Sequence, residues 1–130
     1  MYNGSLGLEY LESFDNPPSI TLNDPTADTN YTSPQLITFN FTVYDDLNLS
    51  DVKLYVNDVL NQTNTTGLNN TNYYFDLNLG DGDYTIYGKA TDNESQETNS
   101  DSVRIVIDSI SPTISITPIN DNLYCLTLLC

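Results

Sequence analysis

A chain of 130 residues with 38 % hydrophobic content is the size of one ordinary domain and can bury a real core. Its 18 acidic residues face only 3 basic ones, giving a formal charge of −15 whose field repels phosphate backbones and anionic headgroups, which argues against nucleic acid as a partner. With no histidine, no cysteine before Cys125 and no glycine-rich phosphate loop, the usual nucleophile–base and phosphate-cradling arrangements cannot be assembled, so no catalysis is expected.

At the start, MYNGSLGLEY lacks the basic opening and apolar run of a signal peptide. Leu6, Leu8 and Tyr10 alternate with other residues as in a strand, so residues 1–16 read as a strand-like N-terminal segment. PSITL then offers a short strand with Ile20 and Leu22 inward. In QLITFNFTVY the residues Ile37, Phe39, Phe41 and Val43 fall on one face and Thr38, Asn40, Thr42 and Tyr44 on the other. The pattern returns with Val52, Leu54 and Val56 in DVKLYVN, and with Tyr73, Phe75, Leu77 and Leu79 in NYYFDLNL. It returns again with Tyr84, Ile86, Gly88 and Ala90 in YTIYGKA, and with Val103, Ile105 and Ile107 in SVRIVID. NQTNTTGLNNTN, between the third and fourth of these runs, reads as a loop with little to bury. The apolar run LYCLTLLC at the C-terminus is far short of the ~20 residues that span a bilayer. Cys125 and Cys130 can close only a tiny loop and cannot staple the body of the chain.

Short alternating strands punctuated by Asp, Asn, Gly and Pro, with no helical stripe, predict an all-β antiparallel sandwich, each sheet wet on one side. Leu79, Gly80, Gly82 and Tyr84 supply, in order, the leucine, the bend and the tyrosine of a corner that locks two sheets together, with the phenol bonded back to the turn upstream.

On PPSITL, ITFNFTVYDD, DVKLYVND, LGDGDYTIYGKATDN and VRIVIDSISPTISI, the chain from Pro17 to about Ile116 resembles the bacterial and archaeal immunoglobulin-like, or fibronectin type III-like, repeats of cell-surface proteins. The resemblance implies an immunoglobulin-like antiparallel β-sandwich of about seven strands over residues 17–110, with extra strand-like N- and C-terminal segments. The core tryptophan and the two core cysteines of the superfamily are absent, with Leu54 near the tryptophan's place.

PPSITL at Pro17–Leu22 returns as SPTISI at Ser111–Ile116, about 94 residues further on, which is one sandwich module. Residues 111–130 therefore read as the start of a second module or as a donated strand. Two explanations stay open: a piece of a tandem array, or a filament subunit whose Leu6, Leu8, Tyr10, Ile114 and Ile116 segments exchange with the next copy.

Sequons begin at Asn3, Asn30, Asn40, Asn48, Asn61, Asn64, Asn69 and Asn93, where chance at this composition gives roughly three or four, so a glycan-coated surface is one expectation. Calcium is the metal to consider, since loop ends at one pole of such a sandwich gather Asp45, Asp46, Asp92 and Glu94 near Asp15 and Asn16. No D-x-D-x-D-G loop accompanies them. No other cofactor is expected. The basic residues Lys53, Lys89 and Arg104 fall outward on one sheet together with Tyr55, Tyr87 and Val106. That face is the expected contact face, unless each cation is simply paired with a nearby acid. The other sheet would turn Thr21, Thr38, Asn40, Thr42, Asp76 and Asn78 to solvent or glycan.

These features point to a non-catalytic extracellular or cell-surface module, a subunit of a filament or tandem stalk, with other copies of itself or neighbouring modules as partners. The alternative is an adhesin module that takes a glycan or protein through its loops, although those loops hold no aromatic cluster for sugar stacking.

Overall fold

Every run of alternating residues between Ser19 and Ile107 becomes a strand in the computed structural model, which describes residues 14–116. The strands are β1 (Ser19–Asp24), β2 (Thr29–Tyr31), β3 (Gln35–Tyr44), β4 (Leu49–Val56), β5 (Val59–Asn64), β6 (Thr71–Leu79), β7 (Gly82–Asp92), β8 (Glu97–Asn99) and β9 (Val103–Ile107). One sheet has the order β1-β3-β6; the other has the order β2-β9-β7-β4-β5, with β8 also pairing with β7. All pairings are antiparallel except β2 with β9. Among the described residues there is no helix, and hence none long and apolar enough to cross a membrane.

The fold is the expected all-β, immunoglobulin-like sandwich, with nine strands where about seven were expected. The additional ones are short or lie at sheet edges. Strands β2 and β8 have three residues each, and of NQTNTTGLNNTN the first four residues, through Asn64, belong to β5 and the last two to β6. An edge strand needs a hydrogen-bonding neighbour on one side only and little apolar alternation, so its signal is weak. The turn that feeds β5 is more legible. Asn57 and Asp58 both take positive φ, at 50° and 63°, between the paired Val56 and Val59, which is the conformation two-residue hairpins favour.

The inward faces of the two sheets meet in one core. Ile20, Ile37, Phe39, Phe41, Val43, Tyr73, Phe75, Leu77 and Leu79 face Leu49, Val52, Leu54, Ile86, Ala90, Val103, Ile105 and Ile107. Phe41 and Phe75 meet edge to face with centroids 6.1 Å apart, a preferred aromatic geometry. Gly88 makes room for this arrangement. A Cβ there would lie 2.7 Å from Phe41 Cε1 and 2.9 Å from Ile20 Cδ1.

The strand directions separate the two ends of the described chain. β1 starts where Ser19 pairs with Tyr44, next to the β3–β4 loop and the end of β7, whereas β9 ends where Ile107 pairs with Gly82. The chain thus arrives at one pole and departs at the other, along the 11-residue β7, which at ~3.3 Å per residue gives a separation of about 35 Å.

Candidate functional site

At the arrival pole the lead-in to β1 lies against the β3–β4 loop and the end of β7. One carboxylate oxygen from each of Asp15, Asp45 and Asp46 falls within 4.8 Å of the others. Local hydrogen bonds hold the carboxylates of Asp45, Asp46 and Asp92 and the backbone of Asp15. Asp45 is gripped by Asn69, whose side-chain oxygen accepts the Asp45 N–H at 2.7 Å while its amide donates to the Asp45 carbonyl; Asp45 Oδ2 in turn accepts the Leu47 N–H at 3.2 Å. Asp46 accepts from Asn16 twice, from the backbone N–H at 3.2 Å and from Nδ2 at 2.5 Å. Asp92 Oδ1 accepts the Gln96 N–H at 2.8 Å, and Gln96 Nε2 donates to the Asp15 carbonyl at 3.1 Å.

The remaining oxygens are the notable ones. Asp15 Oδ1, Asp45 Oδ1 and Asp92 Oδ2 are buried without a hydrogen-bond partner among the described residues, and Asp45 and Asp92 are each only 2 % exposed. Desolvation, followed by the charges of Asp92 and Asp45, holds the Asp15 carboxyl above the ordinary carboxylate value. The Asn16 hydrogen bonds hold Asp46 below it. Of the four acids singled out in the sequence for a cation, Asp45 and Asp46 converge with Asp15 and Asp92 lies close enough to perturb Asp15. Glu94 is exposed in the β7–β8 turn and adds no oxygen to the converging group.

At the departure pole the Tyr84 hydroxyl donates to the Gly80 carbonyl at 3.2 Å, while its ring packs half-buried against the core. Gly82 is needed for this, since a Cβ there would sit 2.8 Å from the Tyr84 hydroxyl oxygen. Gly80 is not: its Cβ position is open, and only its carbonyl is used. Asp81, between them, accepts both the N–H of Ser109 at 3.0 Å and its hydroxyl at 2.7 Å, tying down the chain just after β9.

On the outer face of the larger sheet, Lys53 lies directly opposite Lys89 and Tyr55 opposite Tyr87. The tyrosine rings stack, with centroids 5.1 Å apart and planes within 1°, and Lys89 Nζ stands 5.5 Å from the Tyr55 centroid. Each cation has an acid: Lys53 with Asp51 at 2.6 Å, Lys89 with Glu97 at 2.9 Å, and Arg104 with Asp83 through two bonds of 2.8 and 2.5 Å. Asp83 is accordingly held below, and Arg104 above, its ordinary value. Desolvation and the charge of Asp58 raise the Tyr87 phenol. Val106 is half-buried alongside.

Of the sequon asparagines, Asn30, Asn48, Asn61 and Asn93 are exposed, Asn40 and Asn64 half-buried, and Asn69 engaged with Asp45. On the smaller sheet Thr38 bonds Asp76 at 2.5 Å and Thr42 bonds Asn72 at 2.8 Å, while Thr21 and Asn78 are exposed. Ile114 and Ile116 are 90 % and 83 % exposed and form no strand with the other described residues. Asn3, Leu6, Leu8, Tyr10, Cys125 and Cys130 lie outside the described residues.

Among known proteins, the family described as "Bacterial Ig domain" matches residues 18–87 of this chain. No curated protein matches it. Similar solved structures include the fibronectin(III)-like modules of Clostridium thermocellum CbhA, at 16 % identity and a TM-score of 0.54, covering 69 % of this chain and 96 % of that one. A Bacteroides uniformis beta-glucuronidase is similar at 15 % identity and a TM-score of 0.46 over 72 % of this chain, which spans only 11 % of the enzyme. A chimeric titin Z1Z2 is similar at 13 % identity and a TM-score of 0.48, covering 73 % and 98 % of the two chains.

Proposed function

Because the chain belongs to the bacterial Ig domain family, we propose that it serves as a non-catalytic structural module of an extracellular or cell-surface protein, joined to copies of itself or to neighbouring modules through its terminal segments in a stalk or filament. The observation that carries this reading is the placement of the two ends at opposite poles, each pinned by one aspartate. Asp46 holds Asn16 on arrival and Asp81 holds Ser109 on departure, each through one backbone and one side-chain hydrogen bond. Modules threaded in this way extend end to end rather than fold back. The exposed Ile110, Ile114 and Ile116 supply apolar surface for a neighbouring sandwich to cover. The loops at the arrival pole, DDLN and NESQ, offer carboxylates and amides rather than aromatic rings, which weighs against sugar stacking there.

Electron microscopy and size-exclusion chromatography of residues 1–130 and of residues 14–110 test the reading. Concentration-dependent assembly of the longer chain alone, abolished by the double substitution Ile114→Asp and Ile116→Asp, is the expected result. Monodisperse monomers of both lengths at about 100 µM, well above an ordinary micromolar interface constant, would defeat it.

A further inference from the structure

We propose that Asp15, Asp45 and Asp46, with the buried carboxylate of Asp92 beside them, build a calcium site that fastens the segment ahead of β1 to the β3–β4 loop at the end of β7. This goes beyond the structural role above and does not depend on assembly, because every residue involved belongs to one copy of the chain.

The first observation is convergence. Oxygens from Asp15, Asp45 and Asp46 lie within 4.8 Å of one another, and two oxygens on opposite sides of a calcium ion at ~2.4 Å stand about 4.8 Å apart. The second is independent of the clustering: among the described residues, Asp45 and Asp92, each 2 % exposed, keep one carboxylate oxygen buried and unpartnered, as does the half-buried Asp15. Buried oxygens of an ionised carboxylate are rarely left without a donor or a cation, since the lost hydration is otherwise uncompensated. In Asp45 and Asp92 the other oxygen accepts a backbone N–H, from Leu47 and Gln96 respectively, so the free one is held in place by the loop's own hydrogen bonds.

The third observation removes the commonest alternative. The whole sequence has 3 basic residues and no histidine, and Lys53, Lys89 and Arg104 are all engaged with Asp51, Glu97 and Asp83 on the outer face of the larger sheet. No basic side chain is left to neutralise this pole. An all-oxygen donor set selects a hard cation, and irregular geometry drawn from a lead-in, a loop and a strand end suits calcium's flexible coordination better than the strict octahedron of magnesium.

Isothermal titration of calcium into the chelator-treated 1–130 chain, with melting followed in parallel, tests the proposal. The expected result is one ion per chain and a Tm rise of about 5–10 °C at a hundredfold excess over Kd, with magnesium giving less than half of that rise. Asp45→Asn and Asp92→Asn each weaken calcium at least tenfold. In chelator both variants melt at or above the parent chain, because asparagine removes a buried charge while its side-chain oxygen can still accept the loop N–H; that readout separates lost binding from lost folding. Glu94→Gln leaves the affinity within twofold. Absence of heat and of any Tm rise up to 10 mM calcium would overturn the site. Equal stabilisation by calcium and magnesium, the mark of general screening, or undiminished binding in both aspartate variants, would overturn it as well.

Discussion

Asn69 holds Asp45 from both sides, accepting its N–H and donating to its carbonyl, so a residue in the β5–β6 connection sets the backbone of the β3–β4 loop 24 positions away. Asn69→Ala leaves both Asp45 groups without these partners, and Asp45 is buried. The expected cost is about 1–3 kcal/mol, read as a lowered urea midpoint with an unchanged m-value. Asn69→Asp is expected to fare no better, since it forfeits the amide donor and adds an acid next to Asp45.

The corner at the departure pole separates its two glycines. Gly82→Ala pushes a methyl group onto the Tyr84 hydroxyl and is expected to cost about 1–3 kcal/mol. Gly80→Ala meets open space, and its effect should stay within about 0.5 kcal/mol. Tyr84→Phe keeps the ring and loses the bond to the Gly80 carbonyl, for about 1 kcal/mol. Chemical denaturation of the three variants checks the order.

Gly88 is a packing requirement of the core. Gly88→Ala places a Cβ against Phe41 and Ile20, and about 1–3 kcal/mol is expected to be lost. Phe41→Leu in the same chain removes the nearest ring atoms, so a double-mutant cycle should return a favourable coupling of at least about 0.5 kcal/mol. Additive losses would show that the two positions do not compete for the same space.

Arg104 bonds the Asp83 carboxylate through two nitrogens and holds it below its ordinary value of 3.8. A carboxylate depressed on folding contributes stability above its unfolded value and loses it as pH falls through the lower, folded value. The acid limb of the stability curve should therefore carry a small contribution from this exposed pair, located below pH 4. A carboxyl-carbon NMR titration of Asp83 should move up toward the ordinary value in Arg104→Gln.

Much of this architecture could be read from period-two alternation alone. Ile37, Phe39, Phe41 and Val43, or Val103, Ile105 and Ile107, leave little choice of inward face, and the expected division into two sheets, with Lys53, Lys89 and Arg104 outside one of them, matches the strand order. Strands β2 and β8 were not legible, because three residues at an edge have no period to display. Pairing of each cation with an acid was one of the two expectations, but the identities of the partners Asp51, Asp83 and Glu97 were not legible for another reason. Asp51 is two residues from Lys53, but the partners of Lys89 and Arg104 lie 8 and 21 positions away and become neighbours only through strand pairing.

By itself the sequence determined the fold class, the inward faces and the tyrosine corner, because each is written in nearest-neighbour spacing along a strand and apolar burial is indifferent to partners. Only the tertiary structure decided that Asp15, Asp45 and Asp46 converge while Glu94 stays outside, that Asn69 grips Asp45, and that the chain arrives and departs at opposite poles. The orientation of a carboxylate depends on which backbone N–H groups its loop brings within about 3 Å, and that is settled by how the strands close into a sandwich.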